Sequence, residues 1–350
     1  MPTDLPNPPP RVAVAQATPV FLEREATVEK ACALIAEAAA HGARLIVFPE
    51  SYIPAYPDWV WAVPAGEDAL LGQLYAELLA NAVTIPSPAT ESLCRAARAS
   101  SIYVVMGVSE RNAEASGASL YNTLLYIGPD GQILGKHRKL VPTGGERLVW
   151  AQGDGSTLAV YDTPLGRLSG LICWENYMPL ARYTLYAWGT QIYVAATWDR
   201  GGPWLATLRH IAREGRVWVL GAGMPLRAAD IPDRYEFKQR FYSGAGEWIN
   251  IGDSAIVGPD GEYLAGPARK TEEILYAELD PARQRASKWM FDAAGHYARP
   301  DLFALTVNTA SHPMLSAQSE PGAANSAMLA VPAPDSVAAK SSHTTRRTTS

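Results

Sequence analysis

Leu168-Ser169-Gly170-Leu171-Ile172-Cys173-Trp174-Glu175-Asn176-Tyr177 reads as a short apolar strand that delivers a cysteine and then runs into polar residues ahead of a helical pattern. Strand-to-turn junctions of α/β folds aim a side chain out of the sheet edge toward a crevice, where a nucleophile meets its base and its substrate. A lone cysteine is more often a small buried hydrophobe, so the weight given to Cys173 depends on the rest of the chain.

Working outward, strands and helices alternate on both sides of this stretch. Upstream, Arg11 to Ala17 is a short β-type run. Val28, Ala31, Cys32, Ile35 and Ala38 then keep helical spacing between Leu22 and His41, and Gly42 ends the pattern. Arg44 to Phe48 reads as a buried parallel strand, stopped by Pro49 with Glu50 next. Tyr52 to Trp61 is an irregular aromatic loop, and helices are expected over Glu67 to Ala80 and Thr90 to Ser100, with a strand from Ile102 to Val108. Downstream of Cys173 come a helix from Tyr177 to Gly189, a strand from Gln191 to Ala196, a helix from Trp204 to Gly215 and a strand from Val217 to Leu220. This β-α alternation predicts sheets carrying helices on one outer face.

Two hairpins of like design stand out. Leu120 to Lys136 is built on Gly128-Pro129-Asp130-Gly131, and Ser254 to Ala265 on Gly258-Pro259-Asp260-Gly261. Pro at the second and Gly at the fourth turn position suit a type I turn, and one such unit in each half suggests internal pseudo-symmetry. Lys136 to Gly155 is too polar for a core and reads as a functional loop. Arg227 to Trp248 has no clear period and is expected to be an excursion. Thr271 to Leu279 reads as a last strand and Asp280 to Met290 as a short helix. From Ala310 to Ser350 the composition turns to Ala, Ser, Pro and Thr, as in a disordered tail outside one large domain spanning residues 1–309.

Composition narrows the function classes. With 350 residues, 48% of them hydrophobic, and a net charge of −5, the chain can bury a sizeable core and offers no positive field for nucleic acid or an anionic membrane. Cys32, Cys94 and Cys173 lie far apart with no Cys/His pairing, which suggests neither a disulfide framework nor a zinc site. The N-terminal residues lack a basic and apolar leader, and no run of about 18 apolar residues occurs. A soluble cytoplasmic protein is expected.

A thiol attacks as thiolate, so Cys173 needs a base or a cation from another strand end. Glu50 fits, as does the segment bearing Lys136, Lys139 and Glu146. The six histidines are scattered in helical, loop or tail contexts, which gives a Cys-His pair weaker support. Taken in order, Phe48-Pro49-Glu50, Lys136-His137-Arg138-Lys139-Leu140-Val141-Pro142-Thr143-Gly144-Gly145-Glu146-Arg147 and Ile172-Cys173-Trp174-Glu175-Asn176 resemble the three signature blocks of the carbon-nitrogen hydrolase (nitrilase) superfamily. The resemblance runs from about Val12 to Asn308 and includes Gly295 to Asp301, which is similar to the C-terminal block of microbial nitrilases. Trp174-Glu175 after the cysteine resembles the nitrilase branch.

That resemblance implies an α/β fold, a four-layer α-β-β-α sandwich. It also implies Glu50 as general base, Lys139 as the cation, Cys173 as nucleophile and Glu146 as a second carboxylate that orients Lys139 and helps the water step, with no metal or organic cofactor. Lys136 is the nearest rival of Lys139. Glu175 is expected to be structural, paired with an arginine such as Arg182. Tyr56, Trp59, Trp174 and Trp198 are candidate walls of an apolar pocket for aryl or arylalkyl nitriles. The rivals are an amidase of the same superfamily and an inactive assembly-forming relative. A homo-oligomer, spiral or filamentous, is expected, with interfaces at Arg227 to Trp248 and around His296.

Overall fold

A computed structural model describes residues 9–242 and 247–313. Its strands carry apolar residues on both faces, and alternate positions go to different cores. In β1 (Arg11–Gln16), Val12 and Val14 face one core while Ala13 and Ala15 face another. Helix α1 (Arg24–Ala40) covers the second with Val28, Ala31, Ile35 and Ala38. The period of two along the strand and of 3.6 along the helix produces this division. The chain continues through β2 (Leu45–Val47), a single helical turn α2 (Trp59–Ala62), α3 (Asp68–Asn81), α4 (Pro88–Ser100), β3 (Tyr103–Arg111), β4 (Leu120–Ile127) and β5 (Ile133–Arg138). Then follow β6 (Leu168–Ile172), α5 (Pro179–Ala187), β7 (Ile192–Thr197), α6 (Gly201–Gly215), β8 (Trp218–Gly223), β9 (Pro225–Arg227), α7 (Glu236–Tyr242), β10 (Trp248–Val257), β11 (Tyr263–Arg269), β12 (Glu273–Glu278) and α8 (Pro281–Ser287).

Two sheets result, one ordered β12-β1-β2-β3-β4-β5 and the other β11-β10-β8-β7-β6, with β9 also paired to β10. The pseudo-symmetry of the hairpins extends to the halves. β1, β2 and β3 are parallel neighbours followed by antiparallel β4 and β5, and β6, β7 and β8 are parallel neighbours followed by antiparallel β10 and β11. Both turns close alike: the Gly131 and Gly261 N–H groups donate to the Gly128 and Gly258 carbonyls, and both closing glycines have positive φ, where a side chain would strain the backbone.

The layers follow from three cores. Val12, Val14, Val47 and Val105 of one sheet meet Ile172, Ile192, Val194 and Leu220 of the other. Ala13, Ile46 and Met106 pack under α1 and α4, and Leu171, Tyr193, Ala195 and Val219 under α5 and α6. Each fully buried Val, Leu or Ile contributes about 1.5–3 kcal/mol, so the middle core contributes strongly to holding the sheets face to face. The architecture is the expected α-β-β-α sandwich.

Some boundaries differ from the sequence reading. Lys136 to Arg138 belong to β5 rather than to a loop, and the aromatic loop ends in the helical turn of α2. The excursion after Arg227 contains α7, which lays Phe237 against Phe21 and Trp59. Residues 310–313 carry no helix or strand, and the rest of the expected tail lies outside the described residues. Among the described residues no helix is long and apolar enough to cross a membrane.

Candidate active site

Three strand ends supply the site. Glu50 follows β2 through Pro49, and β3 presses against this turn at Gly107, where an added Cβ would lie 1.9 Å from the Pro49 carbonyl oxygen. Only glycine permits that approach. Lys139 follows β5, the edge of the first sheet, and Cys173 follows β6, the edge of the second. Cys173 itself has φ +51°, a left-handed conformation that costs a non-glycine residue roughly 1–3 kcal/mol. The strand thereby turns at once into a 3-10 turn over Cys173–Tyr177, and the thiol lines the cavity.

The Lys139 ammonium is fully buried between two carboxylates, 2.8 Å from Glu50 Oε1 and 2.7 Å from Glu146 Oε2. Each carboxylate is held by further donors. Asn122 Nδ2 donates to Glu50 Oε1 at 2.6 Å and the Trp198 backbone N–H to Oε2 at 2.7 Å. The Tyr56 hydroxyl donates to Glu146 Oε1 at 2.7 Å and the Thr143 N–H to Oε2 at 2.7 Å. An atom of Glu50, an atom of Glu146 and the Cys173 sulfur lie within 4.8 Å of one another. On distance alone this is a donor set a metal ion would accept, but the chain supplies its own cation: Lys139 Nζ takes an oxygen from each carboxylate.

The electrostatics follow from two buried carboxylates sharing one ammonium. Burial pushes Glu50 above the ordinary carboxylate range, with Lys139 opposing and Glu146 reinforcing the shift. Burial works against the charge of Lys139, yet Glu50, Cys173 and Glu146 outweigh it and hold the ammonium protonated. Burial, with Glu50 reinforcing it, raises the Cys173 thiol well above its usual range despite Lys139. These shifts favour Cys173 as a thiol beside a carboxylate of raised basicity over a preformed thiolate.

A cavity of about 550 Å³ opens onto the sulfur, and Tyr56, Trp61, Trp174 and Trp198 supply its aromatic wall. The Tyr56 and Trp198 rings are stacked, 4.4 Å apart and 4° from parallel. Of the four expected pocket aromatics, Tyr56, Trp174 and Trp198 line this cavity. Trp59 does not: its ring is buried against Phe21 and Phe237, and Trp61, two residues on, takes the place at the cavity. Lys136 is also elsewhere, paired with Glu110. Glu175 is buried and paired, but with His137 rather than with Arg182, which binds Glu214.

Sequence reading missed Asn122, Thr143, Asp58, Asp199 and Arg200. Asn122 shares the largely apolar strand Leu120–Ile127 with a second buried polar residue, Thr123, so polarity alone did not single it out. Asp58 sits under the wall, where the Tyr242 hydroxyl donates to its carboxylate. Asp199 accepts from the Trp174 indole at 3.0 Å. Neither showed a periodic signal, since both lie in irregular segments.

Comparison with known proteins gives the same picture. Residues 11–288 match the family model described as carbon-nitrogen hydrolase. The chain is 45% identical over 300 residues to an aliphatic nitrilase of Sinorhizobium fredii, covering 85% of this chain and 95% of the relative. It is 42% identical over 308 residues to Nitrilase 2 of Arabidopsis thaliana, covering 87% and 89%. Among solved structures, the NitFhit protein of C. elegans superposes with a TM-score of 0.64 at 20% identity over 87% of this chain and 69% of that one. A carbon-nitrogen hydrolase of Helicobacter pylori gives 0.63 at 22% identity over 84% and 96%. These two likenesses speak for the fold alone. The family match, the level of identity to curated nitrilases and a thiol set against a glutamate-lysine-glutamate cluster together establish that the chain belongs to the carbon-nitrogen hydrolase family, within its nitrilase branch.

Proposed function

We propose that the protein hydrolyses organic nitriles with two waters to the carboxylic acid and ammonia, with Cys173 as nucleophile, Glu50 as general base, Lys139 as charge stabiliser and Glu146 as the carboxylate that orients Lys139. The observation that carries this reading is the Cys173 thiol beside two buried carboxylates that share the Lys139 ammonium. As Sγ adds to the nitrile carbon, Glu50 takes the thiol proton and passes it to the nitrile nitrogen, giving a thioimidate. Lys139 and the Trp174 backbone N–H stabilise the charge that develops there. A first water, deprotonated by Glu50, adds to the thioimidate carbon. Glu50 returns that proton to the nitrogen, giving an amino group, and then carries the hydroxyl proton of the tetrahedral intermediate to it, so that ammonia leaves as the thioester carbonyl forms. A second water, deprotonated in the same way, cleaves the thioester to the carboxylic acid and restores the Cys173 thiol.

Aryl or arylalkyl nitriles are the substrates that the wall of Tyr56, Trp61, Trp174 and Trp198 supports. The nitrilase of S. fredii is named for aliphatic substrates, so small aliphatic dinitriles are the proper contrast. A homo-oligomer, spiral or filamentous, fits the exposure of Trp289, Met290, Tyr297, Leu302 and Phe303 near His296.

The test is to incubate the protein with arylacetonitriles, benzonitriles, aliphatic dinitriles and the matching amides, and to measure ammonia, acid and amide. Ammonia and acid from nitriles, hardly any from amides, and nothing from Cys173→Ala are expected. Turnover of amides alone would move the protein to the amidase reading, and refusal of every phenyl-bearing nitrile would end the substrate assignment. Size-exclusion chromatography giving a monomer would end the oligomer assignment.

A further inference from the structure

The side chain of Glu175 is fully buried beside the nucleophile, yet it takes no part in the steps above. Its two oxygens accept hydrogen bonds from two chain segments. Oε1 accepts the N–H of Leu140 at 2.7 Å, and Oε2 accepts the N–H of Ile172 at 2.8 Å. Leu140 is the residue after Lys139, and Ile172 the residue before Cys173. One carboxylate thus ties the end of β5, an edge of the first sheet, to the end of β6, an edge of the second. His137 Nε2 lies 3.2 and 3.1 Å from the same two oxygens, while its buried Nδ1 has no hydrogen-bond partner among the described residues. Nε2 therefore carries the proton and donates it to the carboxylate. Burial would neutralise Glu175, but His137 and the two backbone N–H groups outweigh it and hold it ionised.

We propose that Glu175, held ready by His137, is a positioning residue that fixes the separation of the Lys139 ammonium from the Cys173 sulfur, acting through the two backbone N–H groups it binds. Neither side chain need touch substrate. The proposal rests on reading Lys139 and Cys173 as reacting groups, and it is more specific than a structural role. A merely structural Glu175 would set how much protein folds, whereas a positioning Glu175 sets how fast each folded molecule reacts.

Glu175→Gln separates the two. An amide offers one oxygen where two N–H groups donate, so its own N–H faces one of them and opens that side of the clamp. Because misplacement by about 1 Å can cost about 10²-fold, kcat on a nitrile is expected to fall by about 10²-fold with KM within about threefold. Alkylation of Cys173 by iodoacetamide, followed by mass spectrometry of its peptide and normalised to folded protein, is expected to slow by about tenfold. Wild-type alkylation and kcat in folded Glu175→Gln would overturn the proposal, as would a change confined to KM. If Glu175→Gln does not fold, His137→Leu and His137→Gln decide. A slowed leucine variant largely rescued by the glutamine variant, whose amide can still donate, supports the proposal. Equal rates in the wild type and both variants refute it. Alkylation needs no nitrile: if it responds as expected while the wild type turns over no nitrile, the substrate reading falls and the positioning role stands.

Discussion

Two lysines three residues apart, Lys136 in β5 and Lys139 directly after it, sit in clusters that are opposites. At Lys136 one carboxylate takes two cations: Glu110 binds the lysine and also Arg138, through Nε at 3.0 Å and Nη2 at 2.6 Å. At Lys139 one cation takes two carboxylates. The first cluster lies near solvent, with 28% of the Lys136 side chain exposed, and the second has 0% of Lys139 exposed. Burial raises Glu110, but Arg138 and Lys136 overcome it and keep the carboxylate ionised. Burial also raises Glu50, and one shared ammonium does not overcome it. Excess cation thus makes a fixed anion suited to holding strands together. Excess carboxylate in a dry site makes a group able to take a proton, which is what a base requires.

The largest test of this contrast is to remove each lysine. Lys139→Met leaves two buried carboxylates facing each other. It is expected to destabilise the fold by about 3–5 kcal/mol and to lower kcat/KM for nitrile hydrolysis by at least about 10³-fold. Ammonia release measured beside a thermal melt checks both. Equal kcat/KM in Lys139→Met and Lys136→Met would break the comparison.

Next comes pH. Glu50 has a folded pKa above its ordinary 4.5, so its contribution to stability is full below that value and is lost as pH rises through the folded pKa. Glu110 has a folded pKa below 4.5, so its contribution is present above 4.5 and is lost as pH falls through the folded value. Glu50→Gln is therefore expected to weaken the fall of Tm on the alkaline side of 4.5, and Glu110→Gln the fall on the acid side. Each effect should be a few degrees, at about 2–4 °C per kcal/mol. Identical pH dependence of the two melts would show that the clusters do not differ as described. Glu50→Gln should in addition lower kcat by about 10²–10⁴-fold at every pH tested.

The smallest effect is expected at Lys136→Met. Glu110 keeps Arg138 and the Thr123 hydroxyl, which donates at 2.8 Å, so the loss should be about 1 kcal/mol or less with KM unchanged. A larger loss of activity than of stability there would mean that the Glu110 cluster reaches the site.

The strands that lead to Glu50, Cys173 and Trp198 were legible because their apolar runs are short and bounded by turn residues. Leu45 to Val47, Leu168 to Ile172 and Ile192 to Thr197 all lie where the pattern places them. Local pattern failed where side-chain direction is set by one turn of chain or by a partner far away. Trp59 and Trp61 differ only in how the single turn of α2 rotates them, and no period resolves one turn. Lys136 to Arg138 looked like loop because they are charged, yet Glu110 of β3 gives two of those charges partners within a strand. Arg182 seemed the natural partner of Glu175 because it is near in sequence. His137 is 38 residues away and reaches Glu175 only when the sheets face each other. Asn122 and Thr123 are both polar in a largely apolar strand, and which of them reaches the site depended on Glu50, 72 residues before Asn122.

The pairing of β12 with β1 joins Arg11 to Glu278 and Gln16 to Glu273. During synthesis β1 therefore leaves the ribosome more than 250 residues ahead of the strand that covers its outer edge. Until then β1 offers an open row of N–H and C=O groups to any other nascent chain, and such late, long-range closure is slow. A chain that stops before Glu273 would lose β12 and α8, and with β12 it would lose the cover of β1. Shortened forms of this protein should consequently aggregate while still complete in every residue that faces the thiol.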